Sequence, residues 1–487
     1  MRASLSGLGL LAIPLLAAGS GVAQQPFGVD TTFRTPIATQ GVGSLYELPD
    51  GKLLVAGDMT FPDLANPKGL ARLNSDGSRD PTFEASVLGR SRIKWWMDRF
   101  YVSTSGTVRR VLADGTWDSS FIEMNAGPYF SSLQGGDYHL YPDGRVLMCG
   151  LHDLQDSIRG FMGLHSLIWF GNQGYLDTTQ IHRKCNGTIY SLYQLPDGKF
   201  ICSGFMTEYD GQPANGVIRI HANGDLDTTF HTEVMGFGWP GEFHLQADGK
   251  LICAGFFKWG TIPDTLSIVR LLPNGDLDPT FNNDLQTLYT YDPDEAIAPI
   301  AVIRPLDATR FIIGGAFTFV DGEPRGSIAV IDTAGQLVAD QFVGAACGPF
   351  DYGVSTYATI GDIARASDGS WYIGGSYHGY TDGTVNDTLQ RMVTRLYGLD
   401  VGVQEEETTT PRIMVYPNPG TDRLKVSWTG TPSASKICLL DATGRAVAVM
   451  KASANEMNLD TGQLACGVYT VVVTTPTGRS ATKWIKQ

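Results

Sequence analysis

The residues that could do chemistry are scattered through this chain rather than gathered. Eight histidines are dispersed, and His152-Asp153 and His378 stand alone, so each reads as a core or surface residue rather than a metal ligand. Seven cysteines include no C-x-x-C pair, which leaves no zinc site to build from. Cys149, Cys202 and Cys253 recur at nearly one place in three repeats, the pattern of a small buried core residue. Cys438 and Cys466 could pair in an oxidising compartment. The acidic loop Tyr291-Asp292-Pro293-Asp294-Glu295 has hard oxygen donors suited to one Ca²⁺; no other cofactor is expected. Lys94-Trp95-Trp96 and Trp239 offer flat faces for sugar rings, or else pack between neighbouring repeats. No G-x-S-x-G elbow, Walker loop, H-E-x-x-H or EF-hand pattern occurs, so no catalytic residue is nominated.

The elements that must position such residues are written most clearly in Leu195–Phe230. A turn (Pro196-Asp197-Gly198) leads into a short apolar run ending at Gly204. A loop at Asp210-Gly211, a second run (Val217–Ile220), a turn at Asn223-Gly224 and the tag Asp227-Thr228-Thr229-Phe230 follow. Asp-Gly and Asn-Gly between short apolar runs favour hairpins, so each unit reads as about four antiparallel strands. The turn recurs at Pro49, Pro142, Ala247 and Ser367, with degenerate forms at Met97-Asp98 and Ala308-Thr309. Six residues past the turn glycine comes another: Gly57, Gly150, Gly204, Gly255 and Gly375, with Gly315 at the matching place. The tag recurs at Asp80–Phe83, Asp118–Phe121 and Asp278–Phe281, and its aspartate should bond backbone amides at a corner. About seven units at this period predict a β-propeller. A further tag, Asp30–Phe33, precedes the first unit, and the last unit lacks one, so an N-terminal strand should close the ring.

The motif L-P-D-G-K through R-L-N-x-D-G and D-x-[TS]-F resembles the delta-60 repeat family, over roughly residues 27–400. That resemblance implies a propeller of secreted bacterial proteins and no particular activity.

The flanks give an address. Residues 1–23 carry Arg2, an apolar core and small residues ending at Ala23, which reads as a signal peptide cleaved between Ala23 and Gln24. Residues 24–400 are the propeller, and the acidic, Thr-rich 401–412 reads as a linker. Residues 413–487 alternate like a small β-sandwich. Their landmarks are Tyr416-Pro417-Asn418-Pro419, Asp422-Arg423-Leu424, the turn Asp441–Arg445, Gly467-Val468-Tyr469 and a basic last strand. Together they resemble the C-terminal sorting domain of the type IX secretion system of Bacteroidota, which implies export to the cell surface or beyond and the secretion machinery as a partner.

Composition narrows the rest. A net charge of −14 argues against nucleic acid and anionic membrane surfaces. No later stretch is long and apolar enough for a membrane span. The expected function is a secreted binding or structural module for an extracellular glycan or protein. The alternatives are a Ca²⁺-dependent propeller hydrolase of lactonase type, which needs carboxylates converging on the ring axis, and a carbohydrate-binding module.

Overall fold

The computed structural model describes residues 26–85, 91–104, 106–122, 129–236, 241–260, 265–290, 296–351, 353, 356–398, 413–428, 435–442, 444–452, 454–475 and 478–487. The signal segment with Ala23 and Gln24, the linker, the 291–295 loop and Trp239 lie outside the described residues. The described residues are all β and turn, in two compact units, one within 25–400 and one within 401–487.

Among the described residues the larger unit has ten antiparallel sheets, and seven of them, called blades below, follow one another along the chain. Blade 1 holds Thr39–Glu47, Leu53–Thr60 and Lys68–Leu73, and blade 2 Ser91–Trp96, Arg99–Ser103 and Val108–Leu112. Blade 3 holds Phe130–Leu140, Val146–Asp156 and Phe161–Phe170, and blade 4 Thr188–Gln194, Phe200–Phe205 and Val217–Ile220. Blade 5 holds Glu242–Leu245, Leu251–Trp259 and Leu266–Leu271, and blade 6 Ile300–Pro305, Arg310–Gly315 and Ile328–Asp332. Blade 7 holds Thr359–Arg365, Trp371–Asp382 and Asn386–Leu396. The turn after each first strand follows its sequence. Gly198 takes φ 86°, which favours glycine, and its N–H closes the turn on Leu195 O at 2.9 Å. Blades 3 and 7 depart from the expected short runs, with strands of up to 11 and 12 residues. Part of His152–Gly163 continues the blade 3 hairpin, with Asp153 opposite Leu164.

The predicted closure is present. Val29 bridges Leu396, Asp30 N–H donates to Arg395 O at 2.9 Å, and Tyr397 N–H donates to Gly28 O at 2.9 Å. Bonds also join blades 7 and 1, where Leu45 N–H donates to Asp362 Oδ2 at 2.8 Å. The core lies between adjacent sheets: Leu54 and Ala56 pack with Phe100 and Val102, and Leu147 and Cys149 with Phe200 and Cys202.

The repeated glycine has a steric cause. Gly57, Gly204, Gly315 and Gly375 each face a first-strand residue at which the register slips by one. A Cβ on Gly375 would lie 1.9 Å from Thr359 O, and one on Gly204 would lie 2.0 Å from Thr188 O. The glycine therefore lets the first strand press close while it carries a β-bulge, and the bulge re-aims the residues beside it.

The tag aspartate bonds its own corner and more. Asp227 Oδ1 accepts from Thr229 N–H at 3.0 Å and Thr229 Oγ1 at 2.6 Å. Its Oδ2 accepts from Lys199 Nζ at 2.8 Å and Arg219 Nε at 2.7 Å. Arg219 lies over the Phe230 ring at 4.9 Å and donates to Pro273 O of the next blade at 2.8 Å. The same arrangement recurs around Asp80, Asp118 and Asp278. Burial alone would raise the Asp227 pKa, but the bonds from Lys199, Thr229 and Arg219 outweigh it and hold the group well below the usual carboxylate range. Asp227→Asn keeps the turn cap but loses the charge shared by two cations. A loss of about 2 kcal/mol is expected in urea unfolding, and an unchanged midpoint would contradict this role.

The smaller unit packs a three-stranded sheet on a four-stranded one around Leu424, Val426, Trp428, Ile437, Val471 and Trp484. Its landmarks at 416–419, Asp422 and 467–469 meet at the last strand, Gly478–Lys486. Trp484 Nε1 donates to Pro417 O at 2.8 Å, Asn418 Nδ2 to Lys483 O at 2.9 Å, and Lys486 Nζ to Asp422 Oδ1 at 3.0 Å. The Tyr416–Pro417 and Asn418–Pro419 peptides are cis. Cys438 and Cys466 are free, against the suggested pairing. Cys438 faces Val472, and Cys466 lies six residues before it, about 20 Å along a strand. A disulfide spans at most roughly 7 Å between Cα atoms.

Candidate functional site

The bulges create the site. The bulge residues Gly43, Ala301 and Gly361 line one cavity of about 1350 Å³. Residues just past the repeated glycine join them: Asp58, Phe256, Ala316 and Ser376. These belong to blades 1, 5, 6 and 7, so the cavity opens where the first strands of those blades begin. The segments before blades 6 and 7 supply an aromatic wall. Phe350 pairs with Tyr357 across a short hairpin, and Tyr357 meets Tyr289 edge-on at 6.4 Å. The Tyr289 hydroxyl donates to Thr356 O at 3.1 Å. Among the described residues, Asp58 and Asp351 are the charged lining residues and none of the lining residues is basic.

One residue past Gly361, charges converge that sequence inspection missed. Asp137 of blade 3, Glu242 of blade 5 and Asp362 of blade 7 are joined by Arg92 of blade 2 and Arg304 of blade 6. Arg304 Nη1 lies 2.8 Å from Glu242 Oε1, and Nη2 lies 2.8 Å from Asp362 Oδ1. Arg92 reaches Glu242 Oε1 at 3.3 Å and Asp137 Oδ2 at 3.6 Å. Burial pushes the Asp362 carboxyl up, with Arg304 opposing it. The attraction of Asp137 raises the Arg92 guanidinium pKa further, against its desolvation. Lys94 sits nearby, over the Tyr138 ring at 4.7 Å. Three carboxylates thus face two guanidinium groups and an ammonium. That donor set is self-neutralised, unlike the unpaired carboxylates that ligate Ca²⁺. Among the described residues, no group of His, Cys, Asp or Glu is arranged to hold a metal ion.

Of the tryptophans considered for sugar stacking, Trp95 and Trp96 are used in packing. Trp95 stacks with Tyr46 of blade 1 at 6.4 Å, and Trp96 Nε1 donates to Pro142 O of blade 3 at 2.9 Å. The cysteines at the repeated place, Cys149, Cys202 and Cys253, are fully buried. His152 is also buried, held between Ser132 Oγ and Cys149 O. His378 packs on Phe350 and bonds Ala38 O at 3.1 Å.

Residues 414–487 match the family described as "Secretion system C-terminal sorting domain". This tail marks the chain for export by the type IX secretion system to the cell surface or the extracellular space. Residues 48–83, 195–230 and 246–281 match "Domain of unknown function (DUF5122) beta-propeller". The exported part is a β-propeller. No curated protein matches the chain. One similar solved structure is PorZ, described as an essential bacterial surface component of the type-IX secretion system of Porphyromonas gingivalis. It is 11% identical with a TM-score of 0.36, over 92% of this chain and 65% of that one. Another is the extracellular domain of BT4673 from B. thetaiotaomicron, 11% identical with a TM-score of 0.40, over 92% and 56%. The chain spans less than two thirds of the length of either, and at these scores neither bears on function. Among the described residues, no helix is long and apolar enough to cross a membrane.

Buried histidines give this propeller an acid limit. Burial pushes His139, His152 and His182 down to about 4. Between pH ~6.5 and 4 the unfolded chain therefore binds more protons than the folded one, so acid favours unfolding there. The melting temperature should fall steadily from pH 7 to pH 4; a flat profile would show that these imidazoles take their protons without leaving the fold.

Proposed function

We propose that the exported propeller is a non-catalytic binding module and that the axial cavity is its binding site. The observation that carries this reading is the cavity itself: four aromatic rings and many glycine backbones stand at its wall, while the neighbouring carboxylates are engaged by Arg92 and Arg304. A hydrolase would need an acid–base pair or a ligated metal here. The reading calls for no cofactor. It includes removal of residues 1–23 at Ala23/Gln24, a propeller over 24–400, a linker at 401–412 and a sorting domain over 413–487.

The test is a thermal-shift screen of the full chain against soluble saccharides, peptides and amphiphiles. Ala316→Trp, which fills the cavity from its wall, serves as the control. A compound that raises the Tm of the unaltered chain, leaves Ala316→Trp unmoved and is recovered intact supports the reading. A screen without such a compound, or one whose hit is turned over, defeats it.

A further inference from the structure

We infer that the axial cavity takes an uncharged oligosaccharide, with its pyranose faces laid on the wall formed by Phe256, Tyr289, Phe350 and Tyr357. This rests on the reading of the cavity as a binding site.

Size comes first. A volume of about 1350 Å³ exceeds the roughly 300–1,000 Å³ of sites for single small molecules, so an oligomeric ligand fits better than a monomer. Charge comes second. Among the described residues the lining carries two carboxylates and no basic side chain, in a chain of net charge −14. Phosphorylated, sulfated or uronic ligands would meet repulsion with no cation to bind them. Surface chemistry comes third. The negative faces of aromatic rings attract the weakly positive C–H edges of a sugar ring, and tyrosine adds a polar rim. Phe256, Tyr289, Phe350 and Tyr357 are each half-buried and line the cavity. Thr39, Gln40, Thr359 and Ser376 add uncharged hydrogen-bonding groups that outnumber the two carboxylates. That ratio suits many hydroxyls better than a row of ammonium groups. The glycine-lined wall at Gly41, Gly43 and Gly361 lets a ligand approach the backbone closely.

Isothermal titration of the full chain decides the matter, with maltoheptaose, cellohexaose, mannohexaose and xylohexaose as neutral probes. Hexalysine and a heparin hexasaccharide serve as charged ones. At least one neutral probe should bind with submillimolar Kd and lose at least roughly tenfold in Tyr357→Ala and in Phe256→Ala, while both variants keep the melting temperature of the unaltered chain. If hexalysine or the heparin fragment binds instead, and Tyr357→Ala weakens it, the cavity is a binding site but the sugar assignment is overturned. If a neutral sugar binds equally to both variants, it binds elsewhere and the assignment is likewise overturned. If no probe binds the unaltered chain, both the assignment and the reading beneath it fail.

Discussion

Arg304→Met is expected to destabilise the propeller by about 3–5 kcal/mol, the usual result of removing one member of a buried ion pair. Glu242 and Asp362 would then face one another without their shared guanidinium, which now lies 2.8 Å from each. Arg304 Nε also donates to Ile363 O at 3.0 Å, so the variant leaves a carbonyl unpaired as well. Glu242 would keep Arg92 at 3.3 Å, whereas Asp362 would keep only backbone donors, Leu45 N–H among them, of the bonds described above. The loss should depend on pH in a particular sense. Burial already raises the Asp362 pKa, and Arg304 opposes that rise; without Arg304 the folded carboxyl would hold its proton still more firmly. A folded state that binds more protons than the unfolded one gains stability as pH falls. The deficit of Arg304→Met against the unaltered chain should therefore shrink between pH 7 and pH 5 in urea unfolding. A double change, Arg304→Met with Asp362→Leu, should recover part of the loss, because apolar replacement of a whole buried pair is often neutral. A deficit that grows in acid, or a double change no better than the single, would show that Arg304 acts by packing alone.

This network also marks where sequence reading stopped. The repeat, the turns, the tag and the closing strand were legible because each is local: a turn type, a period and a capping aspartate all lie within a few residues of chain. The sorting unit was legible because its landmarks meet at one strand, where Trp484 and Lys483 hold the 417–418 turn. The axial charges come from blades far apart in sequence, and the search for carboxylates looked just past the repeated glycine. The signal lay on the first strand instead. Gly136-Asp137, Gly241-Glu242 and Gly361-Asp362 each place an acid after glycine, six residues before the turn aspartates Asp143, Asp248 and Asp368. Arg92 stands at the same spacing before Asp98 of the degenerate turn, whereas Arg304 does not, and the partners of both are set by the ring and not by the chain. The tryptophans left two readings open for a related reason, and Trp95 and Trp96 take the packing one: aromatic type says that a face will be covered, not whether a blade or a ligand covers it. Three rings of the cavity's aromatic wall, Tyr289, Phe350 and Tyr357, come from insertions at Tyr289–Ala298 and Cys347–Ala358, outside the repeat pattern, whereas Phe256 follows the repeated Gly255.

Gly375→Ala should cost about 4 kcal/mol and lower the propeller's melting temperature by roughly 5 °C. The cause is a collision rather than a forbidden backbone angle. The new Cβ would sit 1.9 Å from Thr359 O and 2.9 Å from Ile360 Cα, and both are backbone atoms that no rotamer change can move. Relief requires the first strand of blade 7 to shift away, and that strand carries Gly361 on the cavity wall and Asp362 in the ion network. Stability and the site should therefore fail together. Gly369→Ala makes the comparison, since its Cβ meets nothing within 4 Å and only its φ of 88° opposes the change. That substitution should cost about 1–2 kcal/mol and leave ligand binding at the cavity unchanged. If Gly375→Ala proves no worse than Gly369→Ala, the close approach of the two strands is not what fixes glycine at this place. If it is far worse and also weakens whatever the cavity binds, the repeated glycine links the two: it admits the bulge, and the bulge builds the wall.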